Sequence, residues 1–201
     1  MSADRSSGLL QRIGWRPVVQ FILFVVLLPF VLFLAAGRFD WPIAWVYVTL
    51  HVLSAFVSRL IALRINPDLL VERARSLDAK QGKSWDRPLV LLVAIIGPLA
   101  VWIVAGLDER WGWSPDLSLP LRVAALALVI AGYAIGAWAM ATNAYFSAIV
   151  RVQDDRGQTV IQTGPYRFVR HPGYAGGLLC YLTMPIMLDS LWALIPAVLT
   201  I

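Results

Sequence analysis

Charged residues are scarce in this chain. They make up 14% of its 201 residues and hydrophobic residues make up 59%, whereas soluble domains contain about 25% charged residues. This composition excludes an ordinary water-soluble domain, and it excludes intrinsic disorder, which needs low hydrophobicity and high net charge. Cys180 is the single cysteine, so an internal disulfide and a cysteine-rich zinc site are excluded, and we expect no metal site. The composition is typical of an integral membrane protein.

Five segments are apolar enough to cross a membrane, which takes about 20 residues in a helix. They are residues 17–36, 41–63, 88–107, 122–150 and 172–188, and a shorter apolar stub follows at 190–201. We therefore predict an all-α fold in a single membrane domain, a polytopic transmembrane helix bundle of five spans plus a partial sixth. Because the stub ends at Ile201 without a cap or a basic anchor, we expect a further C-terminal part. The sequence does not indicate an oligomeric state.

The basic residues are concentrated outside the predicted spans. The net charge is +5 and there are 17 Lys and Arg residues, most of them before the first span or in the loops after the second and fourth spans. The positive-inside rule therefore predicts that the N-terminus and these two loops face the cytoplasm. Since topology explains the basicity, no nucleic-acid partner is needed.

Two features lie inside the spans. Gly132 and Gly136 form a G-x-x-x-G pair, which predicts close helix packing. His51 falls within the second span, where an ionisable group is costly and suggests a function. We favour a neutral His51 that is hydrogen-bonded to a neighbouring helix.

The segment 151–177, with the sequence RVQDDRGQTVIQTGPYRFVRHPGYAGG, joins the fourth and fifth spans. Gly164 and Pro165 indicate a turn. Pro172 suits the first turn of a helix, which needs no N–H there, and this places His171 at or near the N-cap. Free N–H groups and the helix dipole at such an end favour an anion.

Ligand-binding features surround this helix start. Gly173, Gly176 and Gly177 remove side chains from the first turns, so that a neighbouring helix, a cofactor or both in succession approach the backbone closely. Tyr166 and Tyr174 offer ring faces that attract a cation. A zwitterionic ligand such as S-adenosylmethionine suits this combination.

The string GPYRFVRHPGYAG at 164–176 resembles the isoprenylcysteine carboxyl methyltransferase family and its bacterial relatives. The resemblance covers residues 143–188 and, more weakly, 66–87. It implies binding of S-adenosyl-L-methionine by residues that match the family's motif: Gln153, Gln158, Thr159, Val160, Ile161, Tyr166, His171, Pro172, Gly173 and Tyr174. The family also uses an Arg and a Glu from a C-terminal R-x-x-x-E-type motif, which this sequence does not reach before Ile201.

The implied reaction is methyl transfer to a carboxylate, as in prenylcysteine, or to a thiol of a lipophilic or small acceptor. The resemblance places the enzyme in the bacterial inner membrane, with its active site facing the cytoplasm. Asn143, Tyr145 and Arg170 are candidate substrate contacts, although Asn143 and Tyr145 fit an interhelical hydrogen bond and interface aromatics equally well. No catalytic residue is assigned.

Two other functions remain open. Membrane sterol and steroid reductases that use NADPH are similar around the same G-P-Y…R-H-P segment, and they do not rely on the G-x-G-x-x-G signature. A non-enzymatic membrane scaffold would use the glycines for packing alone.

Overall fold

The computed structural model describes residues 15–65, 86–146 and 157–201. Every regular element in these ranges is helical, and no strand occurs in them. The α-helices are α1 (Arg16–Phe21), α2 (Val31–Ala36), α3 (Pro42–Ile65), α4 (Asp86–Leu91), α5 (Gly97–Trp111), α6 (Leu119–Thr142), α7 (Pro172–Met187) and α8 (Leu194–Thr200).

Prolines explain why two of the long helices are interrupted. A π turn, Ile22–Leu27, and a 3-10 turn, Leu28–Phe30, join α1 to α2, and a second π turn, Leu92–Ile96, joins α4 to α5. Pro29 and Pro98 follow these π turns. A proline lacks the N–H that would bond to the preceding turn and its ring clashes there, so the helix widens before it.

Within the described ranges, four helices are long and apolar enough to cross a membrane: Val18–Ala36, Pro42–Ile65, Pro88–Trp111 and Leu119–Thr142. The first four predicted spans are therefore found as helices. The predicted fourth span extends to residue 150, but the helix ends at Thr142 because Asn143 adopts an extended backbone, with φ −110° and ψ 104°. The predicted fifth span forms α7, which has only 16 residues, and the stub forms α8, which has 7.

Helix α7 packs most extensively against α6, and α2 packs against α5. At one end of the bundle, which we call the motif end, Ala62 of α3 packs against Met140 of α6 and against Phe146, and Phe146 reaches the first turn of α7 at Gly173. The start of α7 and the ends of α3 and α6 therefore meet there.

A hydrogen-bonded clamp holds the opposite end. The buried carboxylate of Asp108 accepts hydrogen bonds from the Ser114 N–H at 2.7 Å and from the Ser114 and Ser190 hydroxyls, both at 2.5 Å. Beside it, Arg122 pairs with Asp189 at 3.0 Å. These bonds fix the turn after α7 to the loop after α5, so the helices that form the candidate site are anchored at the end away from it.

Candidate functional site

The G-P-Y turn is tied to the end of α6 by Asn143. Its side-chain Nδ2 donates a hydrogen bond to the Tyr166 hydroxyl at 3.1 Å, and its Oδ1 accepts one from the Tyr145 N–H at 2.8 Å. Tyr166 lies in a 3-10 turn, Gly164–Arg167. Burial raises the pKa of Tyr166, and the hydrogen bond from Asn143 partly opposes this rise. The predicted turn is confirmed, and its position relative to α6 is fixed.

Glycine is required at the first position of this turn. Gly164 has φ +57°, and a Cβ there would lie 2.6 Å from Oγ1 of Thr142. Any side chain would therefore strain the backbone and push the turn away from α6.

His171 is the N-cap residue of α7, as predicted, and Pro172 is the first helical residue. The His171 side chain makes no capping hydrogen bond. Its ring instead stacks on that of Tyr174, with centroids 5.5 Å apart and an interplanar angle of 24°. Both residues are exposed, Tyr174 to 71%, so a flat aromatic surface stands beside the start of the helix.

The glycines of α6 and α7 divide into two kinds. A Cβ on Gly176 would lie 2.5 Å from the Gly132 carbonyl oxygen, and a Cβ on Gly132 would lie 2.5 Å from the Cys180 sulfur. In contrast, a Cβ on Gly136 or on Gly177 would meet no atom within 4 Å. The prediction of close packing is confirmed: α7 lies against the backbone of Gly132, and the same added Cβ on Gly176 would lie 3.2 Å from the backbone N of Gly136. The side-chain positions of Gly136 and Gly177, however, point into open space.

That open space is a cavity of about 290 Å³ between α3, α5, α6 and α7. Its lining is mostly glycine, aromatic and small polar side chains: Tyr47, His51, Ser54, Ser58, Pro98, Trp102, Gly132, Tyr133, Gly136, Ala137, Gly173, Gly176, Gly177, Cys180, Tyr181 and Met184. Ligand pockets usually measure roughly 300–1,000 Å³, so the cavity is at the small end of that range. It begins at the first turns of α7 and extends into the helix bundle.

An aromatic cluster surrounds His51 inside this cavity. Nδ1 of His51 lies 3.2 Å from the Tyr133 hydroxyl, and its ring packs edge-on against Trp102, with centroids 5.7 Å apart. Trp102 in turn donates a hydrogen bond from Nε1 to the Tyr47 hydroxyl at 2.9 Å. The predicted hydrogen bond between His51 and a neighbouring helix is confirmed, and it joins α3 to α6.

The residues that the resemblance implies for cofactor binding lie in different parts of the structure. Gly173 lines the cavity, and Tyr166 lies in the turn. Residues 158–161 form a segment without regular structure, in which Val160 is 84% exposed. Gln153 lies outside the described residues. Of the candidate substrate contacts, Arg170 is exposed, and Asn143 with Tyr145 belongs to the turn's hydrogen bonds, outside the residues that line the cavity.

Three cavity residues, Tyr47, Trp102 and Tyr133, were not predicted from the sequence. Tyr47 and His51 are four residues apart, which places them on one face of α3, and that spacing is a usable signal. Nothing local in the sequence connects either of them with Trp102 or Tyr133, because the contacts form only when helices pack.

Comparison with known proteins finds a family model that matches part of the chain. Residues 121–201 match the family model of phospholipid methyltransferases, the family that includes membrane methyltransferases similar to isoprenylcysteine carboxyl methyltransferase. The resemblance seen in the motif is therefore confirmed at this level. The match covers α6 and α7, which supply the glycines of the cavity, and it leaves out α3 and α5. Neither the curated proteins nor the solved structures give a significant match.

Proposed function

We propose that this protein, whose residues 121–201 match the phospholipid methyltransferase family, is a membrane methyltransferase that uses S-adenosylmethionine. It transfers the methyl group to a carboxylate or thiol of a lipophilic or small acceptor. One observation carries the proposal: a single cavity joins the glycines at the start of α7 to a cluster of polar and aromatic groups within the helix bundle. A donor at the motif end and an acceptor in the bundle can therefore meet.

The residues at the motif end fit the methyl donor. S-adenosylmethionine supplies a methyl group activated on a sulfonium sulfur. The stacked rings of His171 and Tyr174 offer an exposed face to its adenine or its cationic centre. The His171 side chain leaves the first-turn N–H groups of α7 uncapped, and such groups favour a carboxylate. Gly177 and Gly136 leave space that side chains would fill.

The acceptor reaches the same cavity from the bilayer. The helices around it carry exposed apolar side chains, among them Leu53, Leu60 and Leu178, as expected for surfaces that contact lipid. A chain-bearing acceptor keeps its tail among lipids while its head group enters between the helices. From the distribution of Lys and Arg, we place the motif end on the cytoplasmic side of a bacterial inner membrane.

The protein contributes to this reaction by positioning the methyl donor and the acceptor. Methyl transfer to a ready nucleophile needs the two reacting atoms in line, and holding them so contributes up to about 7–11 kcal/mol in favourable systems. The Asn143–Tyr166 bond fixes the turn against α6, and the close contact of Gly132 with Gly176 fixes α7 against α6. Both constraints hold the motif end at a set position above the cavity.

Calorimetry on the detergent-purified protein tests this proposal. We expect micromolar binding of S-adenosylhomocysteine, the demethylated donor, and we expect NADPH neither to bind nor to compete. Folding is checked independently by a cooperative thermal transition. A folded protein that binds no S-adenosylhomocysteine would contradict the proposal, and displacement by NADPH would indicate a reductase instead.

A further inference from the structure

The cavity has a polar interior without formal charge. In the described part of the chain, no Asp, Glu, Lys or Arg belongs to its lining. Its polar groups are Tyr47, His51, Ser54, Ser58, Tyr133 and Cys180, together with the Tyr181 hydroxyl, which donates to the Val93 carbonyl. Tyr, Cys and Ser side chains are ordinarily neutral at pH 7, and histidine is the one type here that commonly acts as a general base.

This lining discriminates among methyl acceptors. A carboxylate that moves from water into such a cavity meets no cationic side chain, and an ammonium meets no carboxylate, so either ion loses hydration without a counter-charge or a charged hydrogen-bond partner from the protein. A thiol, with an ordinary pKa of about 8.5, enters uncharged. Aromatic faces attract an ammonium, but an amine becomes nucleophilic only after it has lost its proton.

His51 is placed to receive a proton. In the tautomer with the proton on Nδ1, that N–H donates to the Tyr133 hydroxyl oxygen at 3.2 Å and Nε2 is left unprotonated. The ring is held edge-on to Trp102. Within the described residues, Nε2 of His51 has no hydrogen-bond partner. The residue therefore presents one fixed, unengaged ring nitrogen in a cavity that it shares with Gly136 and Gly177.

We propose that the acceptor is a thiol and that His51 is the catalytic base that removes its proton, an inference that rests on the proposed methyltransferase function. The S–H bond breaks and the proton passes to the imidazole of His51. The resulting thiolate attacks the methyl carbon, and a new S–CH3 bond forms as the bond between that carbon and the donor sulfonium breaks, its electron pair remaining on the donor sulfur. The imidazolium then releases its proton to water at the cavity mouth. Tyr133 is a positioning residue that orients the ring.

Three acceptors that carry the same alkyl chain but different nucleophiles test which group is methylated. The protein in detergent is given dodecanethiol, dodecanoate or dodecylamine together with methyl-labelled S-adenosylmethionine, and the labelled product is measured. We expect turnover of the thiol and little or none of the other two, because neither ion finds a counter-charge among the side chains that line the cavity.

The variant His51→Asn tests the base. Asparagine can keep the hydrogen bond to Tyr133 through its side-chain amide, but it cannot accept a proton. General bases typically contribute about 10²–10⁴-fold in rate, so thiol methylation at pH 7 should fall by about that factor while the affinity for S-adenosylhomocysteine stays unchanged. Thr49→Ala, on the same helix but exposed and outside the cavity lining, is the matched control and should retain the rate.

The pH dependence of the methylation rate distinguishes the loss of a base from a structural defect. In His51→Asn the thiol must lose its proton to water or hydroxide, so the rate should rise about tenfold per pH unit below the thiol pKa and approach the wild-type rate at high pH. A structural defect would not recover in this way. Three results would each overturn this inference and leave the methyltransferase proposal standing. They are preferred turnover of dodecanoate or dodecylamine, no thiol turnover by protein that binds S-adenosylhomocysteine, and an unimpaired His51→Asn variant. Loss of S-adenosylhomocysteine binding by the wild-type protein would overturn both.

Discussion

Gly176 lies against the backbone of Gly132, so closely that a Cβ on Gly176 would be 2.5 Å from the Gly132 carbonyl oxygen. At Gly136 and Gly177, which line the cavity, an added Cβ would have no neighbouring atom within 4 Å. The two helices thus touch at Gly132 and Gly176, whereas the side-chain positions of Gly136 and Gly177 point into the cavity. The contact sets the distance between α6 and α7, and the missing side chains at Gly136 and Gly177 leave room for a ligand.

Adjacent glycines should therefore respond in opposite ways to alanine. Gly176→Ala forces α7 away from α6 and should destabilise the protein by about 1–3 kcal/mol, the usual cost of overpacking. Gly177→Ala meets no atom and should leave stability unchanged or raise it by up to about 1 kcal/mol through helix propensity. Thermal unfolding in detergent measures both.

The larger variant Gly177→Leu extends this comparison to binding. A leucine side chain would fill the open part of the cavity, so affinity for S-adenosylhomocysteine should fall at least about tenfold while the unfolding temperature is kept. Equal destabilisation by Gly176→Ala and Gly177→Ala would show that the side-chain position of Gly177 does not face open space.

The local features of the motif can be predicted from the sequence, because they depend on backbone chemistry. Pro172 favours the first turn of a helix, which predicts His171 at the N-cap, and Gly164 with Pro165 indicates the turn. The end of α6 is harder to predict. An apolar run continues past Thr142, but Asn143 uses both ends of its amide to bond Tyr145 and Tyr166, and those bonds depend on where the turn folds.

The interior of the site could not be predicted, because it depends on which helices pack together. Trp102 and Tyr47 are 55 residues apart and share a hydrogen bond. His51 and Tyr133 are 82 residues apart. A single mid-span histidine indicates a polar contact, but only the packing of α3 with α5 and α6 shows that the contact lies in a cavity.

The bond between Asn143 and Tyr166 should contribute to the stability of the turn. Tyr166→Phe removes only the hydroxyl that accepts from Nδ2, whereas Asn143→Ala also frees the Tyr145 N–H, so Asn143→Ala should be the more damaging. A net hydrogen bond contributes about 0.5–1.5 kcal/mol. A double-mutant cycle on the free energy of unfolding should give a coupling of about that size, and additive effects of the two variants would show that the bond does not form.

The clamp at the opposite end should be sensitive to a single-atom change. Asp108→Asn places an NH2 group either before the Ser114 and Ser190 hydroxyls, which both donate to Oδ2, or before the Ser114 N–H, which donates to Oδ1. A buried polar group left without its partner costs about 1–3 kcal/mol, and we expect that loss in thermal unfolding. Asp116→Asn, in the same loop but exposed, should have no effect, and equal effects of the two variants would contradict a specific clamp.

The stacked pair of His171 and Tyr174 distinguishes a ligand site from a packing element. Both side chains are exposed, so His171→Ala and Tyr174→Ala should leave the free energy of unfolding within about 0.5 kcal/mol of wild type, as surface substitutions usually do. If the rings contact the methyl donor, each variant should weaken S-adenosylhomocysteine binding, and Tyr174→Phe, which keeps the stack, should bind almost normally. A scaffold would show the reverse: unchanged behaviour for these variants and loss of function for Gly132→Ala, whose added methyl would disturb the contact between α6 and α7.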